Sequence, residues 1–282
     1  MSRIRRPTAA LAFLLLAAPA IDVARAETGA GEKAEPPLEL LLDASRATRG
    51  TRLLPGLEHR LVSVPAFGLR IHAFVFDEAA FGLRTAAQRS ETGEEVAAFL
   101  ETPEDVFAID GGFFERDEDG RLSASGLLVV DGEEVAPQHE RGGSGVLHTG
   151  DGPVAISYRN RLPPADRLDS AVQVGPILVD PGGKVGIYSN QGDRRRRSAI
   201  CLRPGEIVAI VVDGDGLSLF QLAHVLAIPE AEGGVGCDVA INLDGGPSTQ
   251  AIYCGGPRDI AIAGESTVHN AVVIYQRPPG SR

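Results

Sequence analysis

The 282 residues include 43% hydrophobic and 23% charged side chains, enough apolar material for a sizeable core and too little polarity for wholesale disorder. The 34 glycines and 19 prolines imply many turns and few long helices. A net charge of -11 argues against a generally basic nucleic-acid binder, so no nucleic-acid partner is expected.

The chain opens with the pattern of an export signal. Arg3, Arg5 and Arg6 form a positive start, residues 9–20 form an apolar run, and Ala24-Arg25-Ala26 reads as a small-x-small cleavage site. A run of about a dozen residues is too short for a helix to span ~30 Å of hydrocarbon. Residues 1–26 are therefore expected to be a cleaved signal peptide, giving a secreted or periplasmic protein with no stable membrane insertion afterwards. Residues 27–37 read as a flexible leader, and residues 38–282 as one domain.

Along that domain, short runs rich in Val and Ile, bounded by Gly, Pro or Asp, predict strands at 69–76, 106–109, 126–130, 171–174, 198–202, 207–212, 239–243 and 268–275. The run 207–212 is apolar throughout and should be a central strand covered on both faces. Between the first two strands, Thr92 and Glu95 form a capping box that predicts a helix ending at Pro103. Residues 160–169, with Pro163-Pro164, are the softest stretch. Ser218 and Gln221 form a second capping box, followed by the apolar stripe Leu219, Leu222, Ala223 and Leu226, and Pro229 closes that helix. Many strands with two or three short helices predict an α+β single domain around a mixed, largely antiparallel sheet.

Three features carry chemistry. In residues 238–250, period-2 alternation places Asn242 and Asp244 on one face, roughly 6–7 Å apart at ~3.3 Å per residue. Gly245 and Gly246 then allow close backbone approach, and the backbone amides with the Ser248 and Thr249 hydroxyls could cradle an anionic oxygen. A plain Asp-Gly hairpin tip fits the same residues. Asp110-Gly111-Gly112 repeats this grammar at the end of another strand. Two such carboxylates opening into one cleft are what glycoside cleavage needs; two independent turns are an equal alternative. Arg194–Arg197 is a run of four arginines in an acidic chain. Arg197, at the entrance of a strand, suits phosphate recognition, while the other three read as a solvated loop.

The remaining patterns are weaker. Asp213-Gly-Asp215-Gly and Asp117-x-Asp119-Gly120 lack a full calcium-loop spacing and read as turns. His269 beside Asn270 could line a site. Of Cys201, Cys237 and Cys254, the last two lie nearly symmetrically about Gly245-Gly246 and would face each other if the flanking segments ran antiparallel. Cys237–Cys254 is the candidate disulfide, with Cys201 a buried thiol; three free thiols are the alternative.

The segments AIDGGFF, SGLLVVDG, AVQVGPILV, RRSAI, VVDGDG with SLFQLA, AINLDGGPST and VHNAVVIY, in this order, resemble the phosphodiester glycosidase family over residues 71–275. The family often has Asn where Asp110 stands, and Arg-Thr where Arg197-Ser198 stands. The resemblance implies hydrolysis of a glycosyl-1-phosphodiester, with N-acetylglucosamine-1-phosphodiester as the model substrate and a small molecule or oligosaccharide as partner. The residues suit that chemistry: in the catalytic set, Asp244 as base or nucleophile, Asn242 bonding a sugar hydroxyl or orienting Asp244, and Asp110 as a secondary polar contact; for phosphate or substrate binding, Arg197, Gly111, Gly112, Gly245, Gly246, Ser248 and Thr249. No cofactor is expected. Two alternatives stay open: a phosphodiesterase that breaks the P–O bond with a divalent metal on Asp110, Asp213 and Asp244, and a non-catalytic polysaccharide-binding envelope module.

Overall fold

The computed structural model describes residues 35–190, 193–256 and 258–278. The expected signal peptide lies outside the described residues, as does the leader through residue 34. The last residues of that leader are tied to the domain: the Glu35 carboxylate accepts from the Ser218 amide, and the Pro36 carbonyl accepts from Gln221 Nε2 at 2.7 Å.

The chain forms mostly antiparallel β-sheets with two α-helices, the expected class. Among the described residues every ladder between strands is antiparallel, and the strands form four sheets. The largest has eight strands, in the order Thr51–Leu54, Leu57–Val64, Leu69–Asp77, Glu206–Leu217, Arg195–Arg203, Val239–Asn242, Ile177–Asp180 and Lys184–Val185. A five-stranded sheet carries Leu168–Val174 at its centre, and another centres on Asp105–Asp110, flanked by Ala251–Tyr253 and Asn270–Gln276. A two-stranded ribbon, Phe114–Arg116 with Leu122–Ala124, completes the set.

Residues 207–212 sit in the middle of the largest sheet and are fully buried. Ile207, Ala209 and Val211 face a core shared with the two five-stranded sheets. Val208, Ile210 and Val212 face a second core under the helices α1 (Leu38–Ala47) and α2 (Leu219–Ala227). Burial on both faces explains why this run is apolar throughout rather than alternating. The Ser218 hydroxyl accepts from the Gln221 amide at 3.1 Å, capping α2 as the sequence implies. α1 is preceded by Pro37, which offers no side-chain cap, so its start carries no capping signal in the sequence.

The helix expected after Thr92 does not form. Gly93 takes a φ of +87°, which breaks the turn between Thr92 and Glu95, and only the 3-10 turn Val96–Phe99 remains. Phe99 is fully buried, so the apolar residues that mimicked a helix face instead cover the outer side of the Asp105–Asp110 sheet.

The disulfide also differs from expectation: it joins Cys201 to Cys237, with Cα atoms 5.6 Å apart, and Cys254 carries a free thiol. The reason is topological. The chain leaves the eight-stranded sheet after Asn242 and enters a different sheet at Ala251, so Gly245-Gly246 marks a crossover and not a hairpin tip. Cys201 pairs across the ladder with Ala240, three residues beyond Cys237, and the Asp238 amide donates to Leu202 O at 2.9 Å. Cys237 is thereby laid beside Cys201, while Cys254 follows a strand of the other sheet.

Candidate active site at the junction of two sheets

Asp244 and Asp110 stand just where their strands end, and hydrogen bonds join the two ends. In the eight-stranded sheet, Ala199 pairs with Asn242, and the Leu243 amide donates to Ser198 O at 2.8 Å. Continuing that register places Arg197 opposite Asp244. In the other sheet, Ala271 pairs with Asp110. The Asp244 amide donates to Gly111 O at 2.8 Å, which ties the two Asp-Gly-Gly segments together.

The two carboxylates have different surroundings. Asp244, Gly245 and Gly246 are half-buried and Pro247 is exposed, so this turn opens to solvent. Asp244 Oδ1 accepts from the Gly245 amide at 2.9 Å, and the Ser248 side chain also bonds this carboxylate. Burial pushes the Asp244 carboxyl above its ordinary range, opposed by these two donors. Asp110 is fully buried. Its Oδ1 accepts from Ser198 Oγ and from the Gln250 amide at 3.1 Å, and its Oδ2 has no partner among the described residues. Burial, and then the charge of Asp244, hold the Asp110 carboxyl well above the usual range. Asp110 is thus a sealed acid behind the site, favouring the neutral form.

Asn242 is buried; its Nδ2 donates to Gly175 O at 3.1 Å and to Leu243 O, while Oδ1 lacks a partner among the described residues. Arg197 is buried too. Its Nε donates to Leu217 O at 3.0 Å and its Nη2 to Asp193 O at 2.8 Å. Among the described residues no carboxylate lies within ion-pair distance, and burial lowers its pKa. A side chain at Gly245 would begin 4.0 Å from Arg197 Nη1, so the guanidinium lies against the Asp244 turn.

Several expected roles are redistributed. The Gly245 amide and Ser248 side chain serve Asp244 itself. Thr249 is fully buried, its Oγ1 without a partner among the described residues, so its hydroxyl is not offered at the surface. The Gly111 and Gly112 amides donate to Asn270 O at 3.1 Å and Asn270 Oδ1 at 2.6 Å. These glycines are needed for close approach: a Cβ at Gly111 would fall 2.2 Å from Asn270 Oδ1. Arg196 is not a solvated residue. It pairs with Asp213 at 3.2 Å and donates to Ala263 O at 2.6 Å. Arg194 donates to Gly216 O and Phe67 O, whereas Arg195 is exposed beside Asp193.

Sequence reasoning missed Ser198, Gln250 and, as a partner of the Gly-Gly turn, Asn270. For Ser198 and Asn270 the available signal is a polar side chain in or at the start of an apolar strand run; Gln250 follows Ser248 and Thr249 and carries no such mark. For a divalent metal, Asp110, Asp213 and Asp244 are a poor fit. Asp213 pairs with Arg70 and Arg196, and no cluster of three metal-ligating side chains occurs among the described residues.

Solved structures share the fold. The zebrafish N-acetylglucosamine-1-phosphodiester alpha-N-acetylglucosaminidase catalytic domain, auto-inhibited by its pro-peptide, shares the fold at 17% identity and a TM-score of 0.57, over 82% of this chain and 88% of that one. A hypothetical protein from Synechocystis is similar at 16% identity and a TM-score of 0.52, over 86% of this chain and 64% of that one. A Burkholderia pseudomallei protein named "Putative exported protein" matches at 16% identity and a TM-score of 0.52, over 76% and 75%. No curated protein sequence matches the chain. Residues 104–275, which hold both Asp-Gly-Gly segments and Arg197, match the phosphodiester glycosidase family model, and the chain belongs to that family.

Proposed function

We propose that this protein is an extracytoplasmic hydrolase that cleaves the sugar from a glycosyl-1-phosphodiester, with the phosphate ester as leaving group. One observation carries the reading: Arg197 is a buried guanidinium held by two carbonyl oxygens, with no carboxylate in ion-pair contact among the described residues. A buried charge of this kind costs several kcal/mol by general estimates unless a partner compensates it. A phosphodiester oxygen seated against Nη1, beside the Asp244 turn, supplies that partner.

The chemistry asks little of a general acid, because a phosphate ester leaves as a stable anion. Three tasks remain: to hold the phosphate, to stabilise positive charge at the anomeric carbon, and to direct the attack. Arg197 performs the first. Asp244, ionised and aimed by the Gly245 amide and Ser248, performs the second and third, either taking a proton from water or attacking the carbon. Asn242, buried and donating to the Gly175 and Leu243 carbonyls, orients the backbone that leads into Asp244. The relation to the zebrafish enzyme makes N-acetylglucosamine-1-phosphodiester the first compound to try. The disulfide and the relative named as exported support a location outside the cytoplasm.

The test is a panel of sugar-1-phosphodiesters assayed for free sugar in oxygen-18 water. The label should enter the sugar, and Asp244→Ala should abolish release while the protein stays folded. Label in the phosphate, binding without turnover, or full activity of Asp244→Ala would each defeat the reading.

A further inference from the structure

Asn270 begins the strand Asn270–Gln276, one residue before the partner of Asp110, and is 1% exposed. It receives two consecutive amides: Gly111 N–H on its main-chain oxygen at 3.1 Å, and Gly112 N–H on Oδ1 at 2.6 Å. The peptide between Asp110 and the ribbon is thus held at both glycines by one residue. The Gly111 carbonyl accepts the Asp244 amide at 2.8 Å. A single residue therefore separates Asn270 from the backbone of Asp244.

The orientation of this amide is determined by its neighbours. Gly112 N–H requires the oxygen, which turns Nδ2 toward His269 Nδ1 at 3.3 Å and Gly112 O at 3.5 Å. Burial lowers the pKa of His269, and a neutral ring can leave Nδ1 free to accept. The main-chain bond to Gly111 would survive any substitution. What the side chain adds is the second bond, to Gly112, in a space where Gly111 can accept no Cβ without striking Asn270.

We propose that Asn270 is a positioning residue for Asp244: its buried amide fixes the Gly111-Gly112 turn, and the Gly111 carbonyl transmits that position to the carboxylate. The inference rests on the reading of Asp244 as the catalytic group.

The experiment compares Asn270→Ala with Asn270→Asp, which keeps an acceptor for Gly112, on whichever sugar phosphodiester the wild-type protein hydrolyses best. If the alanine variant does not fold, Asn270→Ser takes its place, because its hydroxyl is too short to reach Gly112. A misplacement on the order of 1 Å costs about 100-fold in rate, so kcat should fall by about that factor with KM nearly unchanged. Asn270→Asp should recover most of the loss, and a crystal structure of the alanine or serine variant should show Asp244 displaced. A variant that melts lower but keeps kcat, a loss confined to KM, or no recovery in folded Asn270→Asp would overturn the proposal. If the wild-type protein hydrolyses no sugar phosphodiester, the functional reading fails. The position of Asp244 in the variant structure then decides the mechanical claim: displacement supports it and an unmoved carboxylate refutes it.

Discussion

Breaking the Cys201–Cys237 bond should cost about 4 kcal/mol of stability, from the chain-entropy relation applied to a sequence separation of 36. The bond sits where the eight-stranded sheet closes onto α2: Cys237 N–H donates to Leu226 O at 2.9 Å, and both cysteines lie in the core beneath the helices. At 0% and 1% exposure, neither is reached by a reductant without local opening. Urea unfolding of the oxidised protein, against protein unfolded, reduced and refolded under reductant, isolates the covalent bond and leaves both side chains in place. With a urea slope of about 2.5 kcal/mol/M for a domain of this size, the midpoint should drop by about 1.5 M. Equal midpoints would refute the energetic reasoning. A non-reduced digest in which Cys237 is joined to Cys254 would refute the topology behind it.

Three further outcomes follow from the charges. Because burial raises the Asp110 carboxyl, the folded state holds its proton more tightly than the unfolded state, so stability falls as pH rises from the unfolded pKa toward the folded one. Asp110→Asn should therefore be more stable than wild type at neutral pH, with the gain vanishing below about pH 4 in urea titrations; a pH-independent difference would contradict this. Arg197→Gln should raise KM for a phosphodiester by about 10- to 100-fold, since a hydrogen bond to a charged group contributes about 1.5–3 kcal/mol; unchanged KM would remove Arg197 from phosphate binding. His72, hydrogen-bonded to His59 at 3.1 Å, has its pKa lowered to about 4, so its contribution is present above pH 6.5 and is lost as pH falls through 4. His72→Gln should flatten the acid side of the stability profile by up to about 1.4 kcal/mol per pH unit, and an unaltered slope would exclude the pair as its source.

The strands were readable because burial on one or both faces writes itself into the sequence. The run 207–212 and the face carrying Ile241 and Leu243 are examples. The cap at Ser218 was readable because it is local. The Thr92 box was not, since Gly93 adopts a backbone that a helix excludes, and only the surrounding strands show why Val96 and Phe99 are apolar. The disulfide failed for a related reason. Symmetry about Gly245-Gly246 suggests a hairpin, but whether a chain returns to the same sheet or crosses to another is a long-range fact. Composition does not disclose the partners of the arginine run: Arg196 and Asp213 meet across two adjacent strands, and nothing within residues 194–197 reveals that.

The candidate site itself can be understood as an exercise in backbone accounting. Where a strand leaves its ladder, its amides and carbonyls lose their partners, and buried ones must find others. Here two strand ends meet and satisfy each other: Asp244 N–H on Gly111 O, Gly111 N–H on Asn270 O, Asp110 N–H on Gln250 O at 3.2 Å. Glycine follows each aspartate, and at Gly111 a Cβ would block that approach. The half-buried carboxylate that results is held by main-chain bonds rather than by a flexible loop. The same arrangement seals Asp110 behind it and brings the Gly245 backbone that follows Asp244 against the Arg197 guanidinium. The repeated Asp-Gly-Gly thus serves two ends differently: the Gly111 and Gly112 amides bond Asn270, the Gly245 amide bonds Asp244, and the proposed chemistry belongs to the copy that opens to solvent.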